Sequence, residues 1–343
     1  MKERRYIPGF DWARLFGSML VVLAHTSLNK LASVLVTPEV YAVLGEVVPM
    51  FFMMAGFLMY QSITTKEQPF RYMIGYIKRY ALIYWAIVFV YYLNSYWGVY
   101  EQTHVFHLKS FVADVVLQPF YWPVFIQLWF IPPLLVGIFV NYFIYSRQAE
   151  RKWFWLIAAY ALVAMAWYIY GGYIADIPVI QMLLSWKPFV MVDYFLFRSA
   201  WGVLYVYIGM WIAKNRDAAD GVRLSAAALV AMAVMAADLY LMSAWGNSIT
   251  GVLTFNLSSC IFATLLFLAI LRIKGESLKK YRAYVSLFGG LNYFLHVPQM
   301  YYLRRWTANG VIQFLIIIAV NALLTAAIVH MKDRKKGKVS HRR

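Results

Sequence analysis

Cysteine is all but absent from this sequence: Cys260 is the only one, and it sits inside an apolar run. That excludes an intrachain disulfide and a cysteine-built metal site. Charge is scarce as well, at 14% of 343 residues, and acid is scarcer than base, with 15 Asp and Glu against 32 Lys and Arg. Low-complexity linkers, a convincing internal repeat and a separately soluble stretch are also missing. Lys2, Arg4 and Arg5 precede an apolar segment as they would in a signal peptide. Asp11 and Arg14 break into that segment, however, and no small-x-small site follows, so an uncleaved anchor is expected.

What the chain has in abundance is apolar surface: 63% of its residues are hydrophobic and the mean hydropathy is +0.61. The apolar residues form separate runs near the length that crosses a hydrocarbon slab, which is not the pattern of one water-soluble core. Windows such as 314–329 are continuously apolar, whereas barrel strands alternate, so the spans are read as helices. The expected fold class is all-α, a polytopic bundle of about ten transmembrane helices over 10–28, 40–62, 80–97, 124–145, 153–171, 194–213, 224–243, 250–271, 284–303 and 310–330. One membrane domain is expected over 1–331, followed by a basic cytoplasmic tail over 332–343.

A net charge of +17 invites a nucleic-acid reading, but the placement of the charge speaks against it. With the amino terminus inside, 25 of the 32 basic residues fall on the cytoplasmic side. Lys30, Lys109, Lys187, Arg198, Arg304 and Arg305 fall outside, and Arg14 lies in the first span. Such asymmetry is an orientation signal, and it puts both termini in the cytoplasm. The basic tail from Lys332 then faces anionic membrane lipids, not nucleic acid. Paired aromatics such as Tyr84-Trp85 and Trp167-Tyr168 mark interfacial anchoring. The outer segments 98–123 and 172–193 are long enough to fold as partial or re-entrant helices.

The informative residues are ionisable groups within spans. The first span holds Asp11, Arg14 and His25, and a charge near the bilayer centre costs about 3 kcal/mol on insertion scales, so such groups face protein or water. The eleven residues from Arg14 to His25 turn through about 1100°, a net offset of about 20°, and rise about 16 Å. Asp11 lies about 60° from Arg14 and about 40° from His25 by the same geometry, so all three line one stripe. For Asp11 an interfacial ion pair with Arg14 is the favoured explanation. For His25, deep on that stripe, proton transfer to and from a hydroxyl outweighs a simple interhelical hydrogen bond, because imidazole exchanges protons near neutral pH.

The pattern Arg14-x10-His25, set within Phe10-Asp11-Trp12-Ala13-Arg14 and Val21-Val22-Leu23-Ala24-His25, resembles the first helix of the membrane acyltransferase-3 family. Val48-Pro49-Met50-Phe51-Phe52-Met53-Met54-Ala55-Gly56-Phe57-Leu58 is similar to that family's second helix. Lys78-Arg79-Tyr80, Leu128-Trp129-Phe130 and Leu295-His296-Val297-Pro298 match later signatures. Together the fragments cover nearly the whole chain in order. Two positions depart: Ala55 stands where the family commonly has serine, and a proline that often follows the basic segment is missing after Arg79.

The resemblance implies an O-acyltransferase of the cell membrane, bacterial in origin. It would take an acyl group from cytosolic acyl-CoA, acetyl first and succinyl second, to a hydroxyl of a surface glycan, a lipid-linked saccharide or a similar acceptor. His25 is then the general base, or the carrier of the acyl group. Arg14, Arg71 and Arg79 are expected to bind the donor, since guanidinium clamps phosphate bidentately. Asp11, Glu46, Trp129 and His296 are expected to support the site or bind acceptor. Glu46 could equally make an interhelical hydrogen bond, and Trp129 is better read as packing. No metal is expected: Glu101, His104 and His107 share a turn but have no fourth ligand near. Asp176, Asp193 and Arg198 are placed at the outer rim, and Asp238 within the seventh span. The rival reading is a proton-coupled transporter or flippase, which would also use an intramembrane Asp, Arg and His track.

Overall fold

Prolines open many of the helices. Pro8, Pro69, Pro178 and Pro188 each stand at the first or second position of a helix, where the missing N–H would have had no helical partner and the fixed φ suits the first turn. The computed structural model describes residues 6–26, 47–120, 126–174, 177–244 and 257–340, and contains no strand among them. The helices are α1 Pro8–His25, α2 Val47–Thr65, α3 Pro69–Thr103, α4 Leu108–Leu117, α5 Ile131–Ser146, α6 Glu150–Ile174, α7 Pro178–Ser185, α8 Lys187–Lys214, the short α9 Arg216–Asp220, α10 Leu224–Ala244, α11 Leu257–Leu271, α12 Arg282–Leu303 and α13 Gly310–Ser340. Single 3-10 turns cover Gln118–Phe120, Ile126–Phe130 and Lys279–Tyr281.

A helix occupies each of the ten expected windows. Among the described residues, five segments are long and apolar enough to cross a membrane: Val47–Thr65, Pro69–Thr103, Leu128–Ser146, Pro188–Lys214 and Gly310–Arg334. Leu224–Ala237 and Ser258–Leu271 are apolar but shorter. Two of the remaining helices are diluted by their polar residues, α1 by Asp11, Arg14 and His25, and α12 by Asn292, His296 and Gln299.

The largest departure from the expected boundaries is α3, which runs for 35 residues where the hydropathy window covers 80–97. With no proline after Arg79, nothing breaks the backbone there, and Arg71, Lys78 and Arg79 lie within the helix instead of in a loop before it. The helix stops where His104 turns left-handed, at φ 55°. At the other end of the chain, α13 carries the helix through Lys332 to Ser340, so the first residues of the basic tail extend a span.

The chain divides into two compact units, the first comprising α2 to α10 with the start of α11, the second comprising α1, the rest of α11, α12 and α13. In the first, α5 lies along α8. Asn141 donates from Nδ2 to the Val203 carbonyl at 2.9 Å and Tyr145 donates its hydroxyl to the Tyr207 carbonyl at 3.2 Å. Polar side chains that reach across to a neighbouring backbone hold helices together where hydrocarbon gives no hydrophobic drive. Gly56 of α2 lies so close to α8 that a Cβ would sit 2.3 Å from the Val206 carbonyl oxygen, a physical reason for glycine in that motif. Beside α3, α4 is tied on by hydrogen bonds from Tyr96 to Asp114 and from Tyr92 to Gln118, both 2.7 Å. Helices thus form within both outer segments read as partial helices.

In the second unit α1 packs along α12, and α13 touches both. Gly9 allows the start of α1 to meet α11, since a Cβ there would fall 1.9 Å from the Ile270 carbonyl oxygen. Beside it Phe10 stacks on Phe267 at 5.9 Å.

Candidate functional site

Helix α1 is unbroken from Pro8 to His25, so the stripe of Asp11, Arg14 and His25 follows from helix geometry. At its start Asp11 is 1% exposed and accepts two hydrogen bonds, from the Tyr6 hydroxyl to Oδ2 and from Arg14 Nη1 to Oδ1, both 2.9 Å. Both carboxylate oxygens are thereby satisfied, as a buried charge requires. The ion pair that the spacing allows is present, and Arg14 remains partly exposed, at 22%.

Tyr6 widens this cluster. The Lys279 ammonium and the Arg282 guanidinium each lie 5.6 Å from its ring centre. Burial, followed by the hydrogen bond to Asp11, pushes the Tyr6 phenol up to about 12. Neither Tyr6 nor Lys279 nor Arg282 was singled out in the sequence; an aromatic ring ahead of α1 gives no signal of the basic groups it will meet from a segment about 270 residues later.

At the far end of α1, His25 meets α12. Its imidazole lies against that of His296, ring centres 5.2 Å apart and planes inclined by 26°. His296 is fully buried. Its Nδ1 lies 2.6 Å from the Asn292 carbonyl oxygen and 3.1 Å from that of Tyr293. A carbonyl only accepts, so Nδ1 carries the proton in the neutral ring and Nε2 presents a lone pair. That buried Nε2 has no hydrogen-bond partner among the described residues.

Behind the two rings runs a ladder of side-chain amides. Asn292 donates to Ser18 Oγ of α1 at 3.1 Å, Asn321 of α13 donates to Asn292 Oδ1 at 2.9 Å, and Gln299 donates to Asn321 Oδ1 at 2.8 Å. Thr325 adds a hydrogen bond to the Asn321 carbonyl at 2.7 Å. Ser18, Asn292, His296, Asn321 and Thr325 are all buried. A buried polar network that is closed fixes one arrangement of its helices. Sequence reading missed these amides, although a signal was there: Asn292, His296 and Gln299 fall at i, i+4 and i+7, one stripe of an otherwise apolar helix.

The remaining expected site residues belong to the first unit or lie outside the described residues. Arg71 and Arg79 are exposed on α3, with Arg71 Nη1 3.5 Å from Gln68 Oε1. Trp129 stands in the 3-10 turn Ile126–Phe130. The buried Arg198 guanidinium lies 5.2 Å from its ring centre and 4.3 Å from that of Tyr194, and Phe52 meets its edge at 6.4 Å. Trp129 is therefore packed in aromatic and cationic company, and Arg198, expected at the outer rim, is 8% exposed. Glu46 and Asp176 lie outside the described residues, as do the side chains of Asp193 and Asp238. Glu101, His104 and His107 are exposed, and no group of three metal-ligating side chains occurs among the described residues.

The second unit therefore offers an acid-held arginine at one end of a helix and a pair of imidazoles at the other. An arginine suits an anionic group, and an imidazole suits proton transfer at a hydroxyl. A model of the acyltransferase domain matches residues 7–330, which takes in α1, α12 and both histidines. Among the curated proteins and the solved structures, none matches the chain. With the family match running over nearly its whole length, the chain belongs to the acyltransferase 3 family, as a membrane acyltransferase built of several membrane-crossing helices.

Proposed function

We propose that the protein is an O-acyltransferase that carries an acyl group, acetyl foremost, from cytosolic acyl-CoA to a hydroxyl of a surface glycan or lipid-linked saccharide. The observation that carries this reading is the His25 imidazole set against His296 on the stripe of α1 that begins with the Asp11–Arg14 pair. The rise of about 16 Å between Arg14 and His25 is comparable with an extended pantetheine arm. Arg14 is assigned to the donor's phosphates. In the chemistry His25 takes the proton of the acceptor hydroxyl while its oxygen attacks the thioester carbonyl. The carbon–sulfur bond then breaks, and the proton passes to the departing thiolate, giving free CoA thiol, an ester and neutral His25. The reading includes ten spans with both termini in the cytoplasm of a bacterial cell membrane, supported by the ten helical windows and the skew of basic residues.

The test uses purified protein, radiolabelled acetyl-CoA and a detergent extract of the native membrane. Wild-type protein should label a glycan or glycolipid, and His25→Ala, still found in the membrane, should lose the labelling. Normal turnover by His25→Ala sinks the role of the base. Movement of a saccharide across vesicles without acyl-CoA would favour a transporter instead.

A further inference from the structure

His296 presents a lone pair that nothing among the described residues uses. The ring is fully buried, its Nδ1–H is committed to the Asn292 carbonyl at 2.6 Å, and its Nε2 has no donor among the described residues. A buried acceptor left without a donor destabilises a fold, so a fold that keeps one has a use for it or bears the cost unrelieved. The neighbour at 5.2 Å between ring centres is His25. In the resting enzyme a neutral His25 has one N–H. When it takes up the acceptor's proton it becomes an imidazolium, and both ring nitrogens turn into donors. The nitrogen that takes this proton faces the acceptor; the other ring N–H is present throughout, and it gains a full positive charge beside the His296 lone pair only while the reaction is under way. An interaction stronger in the transition state than in the ground state is the kind that raises kcat.

We infer that His296 is a positioning residue for acyl transfer, which holds the His25 imidazolium through its Nε2 lone pair while the ester forms. The inference rests on the reading of His25 as the base and deepens it. No proton leaves His25 toward His296: the proton taken from the hydroxyl stays on His25 until the thiolate accepts it, and His296 accepts a hydrogen bond from the second ring nitrogen. Asn292 supplies the other half of the device. Its backbone carbonyl fixes the His296 tautomer, while its side chain ties α12 to Ser18 of α1, the helix that carries His25.

Two substitutions separate this role from packing. In His296→Gln the amide oxygen reaches the position of Nε2. In His296→Asn the amide reaches only the position of Nδ1, so it keeps the internal hydrogen bond and loses the lone pair. With purified protein, radiolabelled acetyl-CoA and native membrane extract, His296→Asn should lower kcat about a hundredfold with KM for acetyl-CoA within about twofold. His296→Gln should stay within about tenfold of wild type. Equal activity of the two variants, or a loss carried by KM, overturns the inference. A wild-type protein without acetyl-CoA-dependent labelling removes the acyltransferase reading itself, a fully active His25→Ala removes only the role of His25 as the base, and either result removes this inference with it. Should His296→Asn fail to fold, nitrogen NMR of histidine-labelled wild-type protein, assigned against His296→Gln, decides: His296 must appear protonated at Nδ1, and an Nε2–H signal overturns the proposal.

Discussion

The side-chain amide of Asn292 donates to Ser18 Oγ across the contact of α12 with α1, at 3.1 Å. That single bond joins the helix of His296 to the helix of His25, and the same asparagine accepts from Asn321 of α13. Three helices therefore meet at one buried amide.

Asn292→Ala should lower stability by about 2 kcal/mol, because Asn321 loses the nearer of its two side-chain acceptors and Ser18 loses its donor inside an apolar environment. The carbonyl that holds His296 belongs to the backbone and survives the substitution. Turnover should consequently fall less than in His296→Asn. Thermal unfolding in detergent beside a kcat measurement checks both parts; an unchanged unfolding midpoint counts against the ladder as a structural tie.

Asp11 orients Arg14 by accepting its Nη1. Asp11→Asn removes the charge that holds the guanidinium and should raise KM for acetyl-CoA about tenfold while kcat stays close to wild type. Arg14→Lys should do at least as much, since an ammonium cannot bind phosphate bidentately. A KM that does not move in either variant would count against Arg14 as a donor ligand.

The Tyr6 phenol is held protonated up to about 12, first by burial and then by its hydrogen bond to Asp11, against an ordinary value of 10.0. Between those limits the unfolded chain releases this proton and the folded protein keeps it, so raising pH favours unfolding. The contribution is complete below about pH 10 and gone above about pH 12. Tyr6→Phe should therefore lose less stability than wild type when the buffer is taken from pH 9 to about pH 11, as read by thermal unfolding in detergent. Equal losses would mean that Tyr6 titrates no differently in the two states.

Gly9→Ala and Gly56→Ala would each drive a methyl group into a backbone carbonyl, at 1.9 and 2.3 Å. Backbone yields little, so each should cost about 3 kcal/mol and reduce the folded fraction seen by gel filtration. Gly75, in the interior of α3, has nothing within 4 Å of the point where a methyl group would sit. Gly75→Ala should be neutral or stabilising by up to about 1 kcal/mol. Loss of folding in Gly75→Ala, or its retention in the other two, would contradict the assignment.

The helices were legible because apolar runs register locally; Pro8 and Pro69 also start helices for reasons contained in a single turn, a signal the hydropathy windows passed over. The stripe of Asp11, Arg14 and His25 was legible for the same reason, since helix geometry fixes it within one element. What escaped needed partners from elsewhere. Hydropathy placed the third span at 80–97, because averaging over a window registers apolar content, whereas helix continuity from Pro69 to Thr103 depends on the lack of a breaker. Asn292 and Asn321 read as isolated polar residues until folding sets α12 beside α13. Trp129 reads better as packing than as a platform for a sugar, but only the fold brings Arg198 over its ring.

At about 1.5 Å per residue, the 35 residues of α3 extend about 52 Å, against a hydrocarbon layer of about 30 Å. A rod of that length must lean or stand proud of the lipid. Since Tyr92 and Tyr96 clasp α4 to its flank, the end of the rod toward Thr103 is a braced mast with a crosspiece, a stiff projection instead of a slack loop.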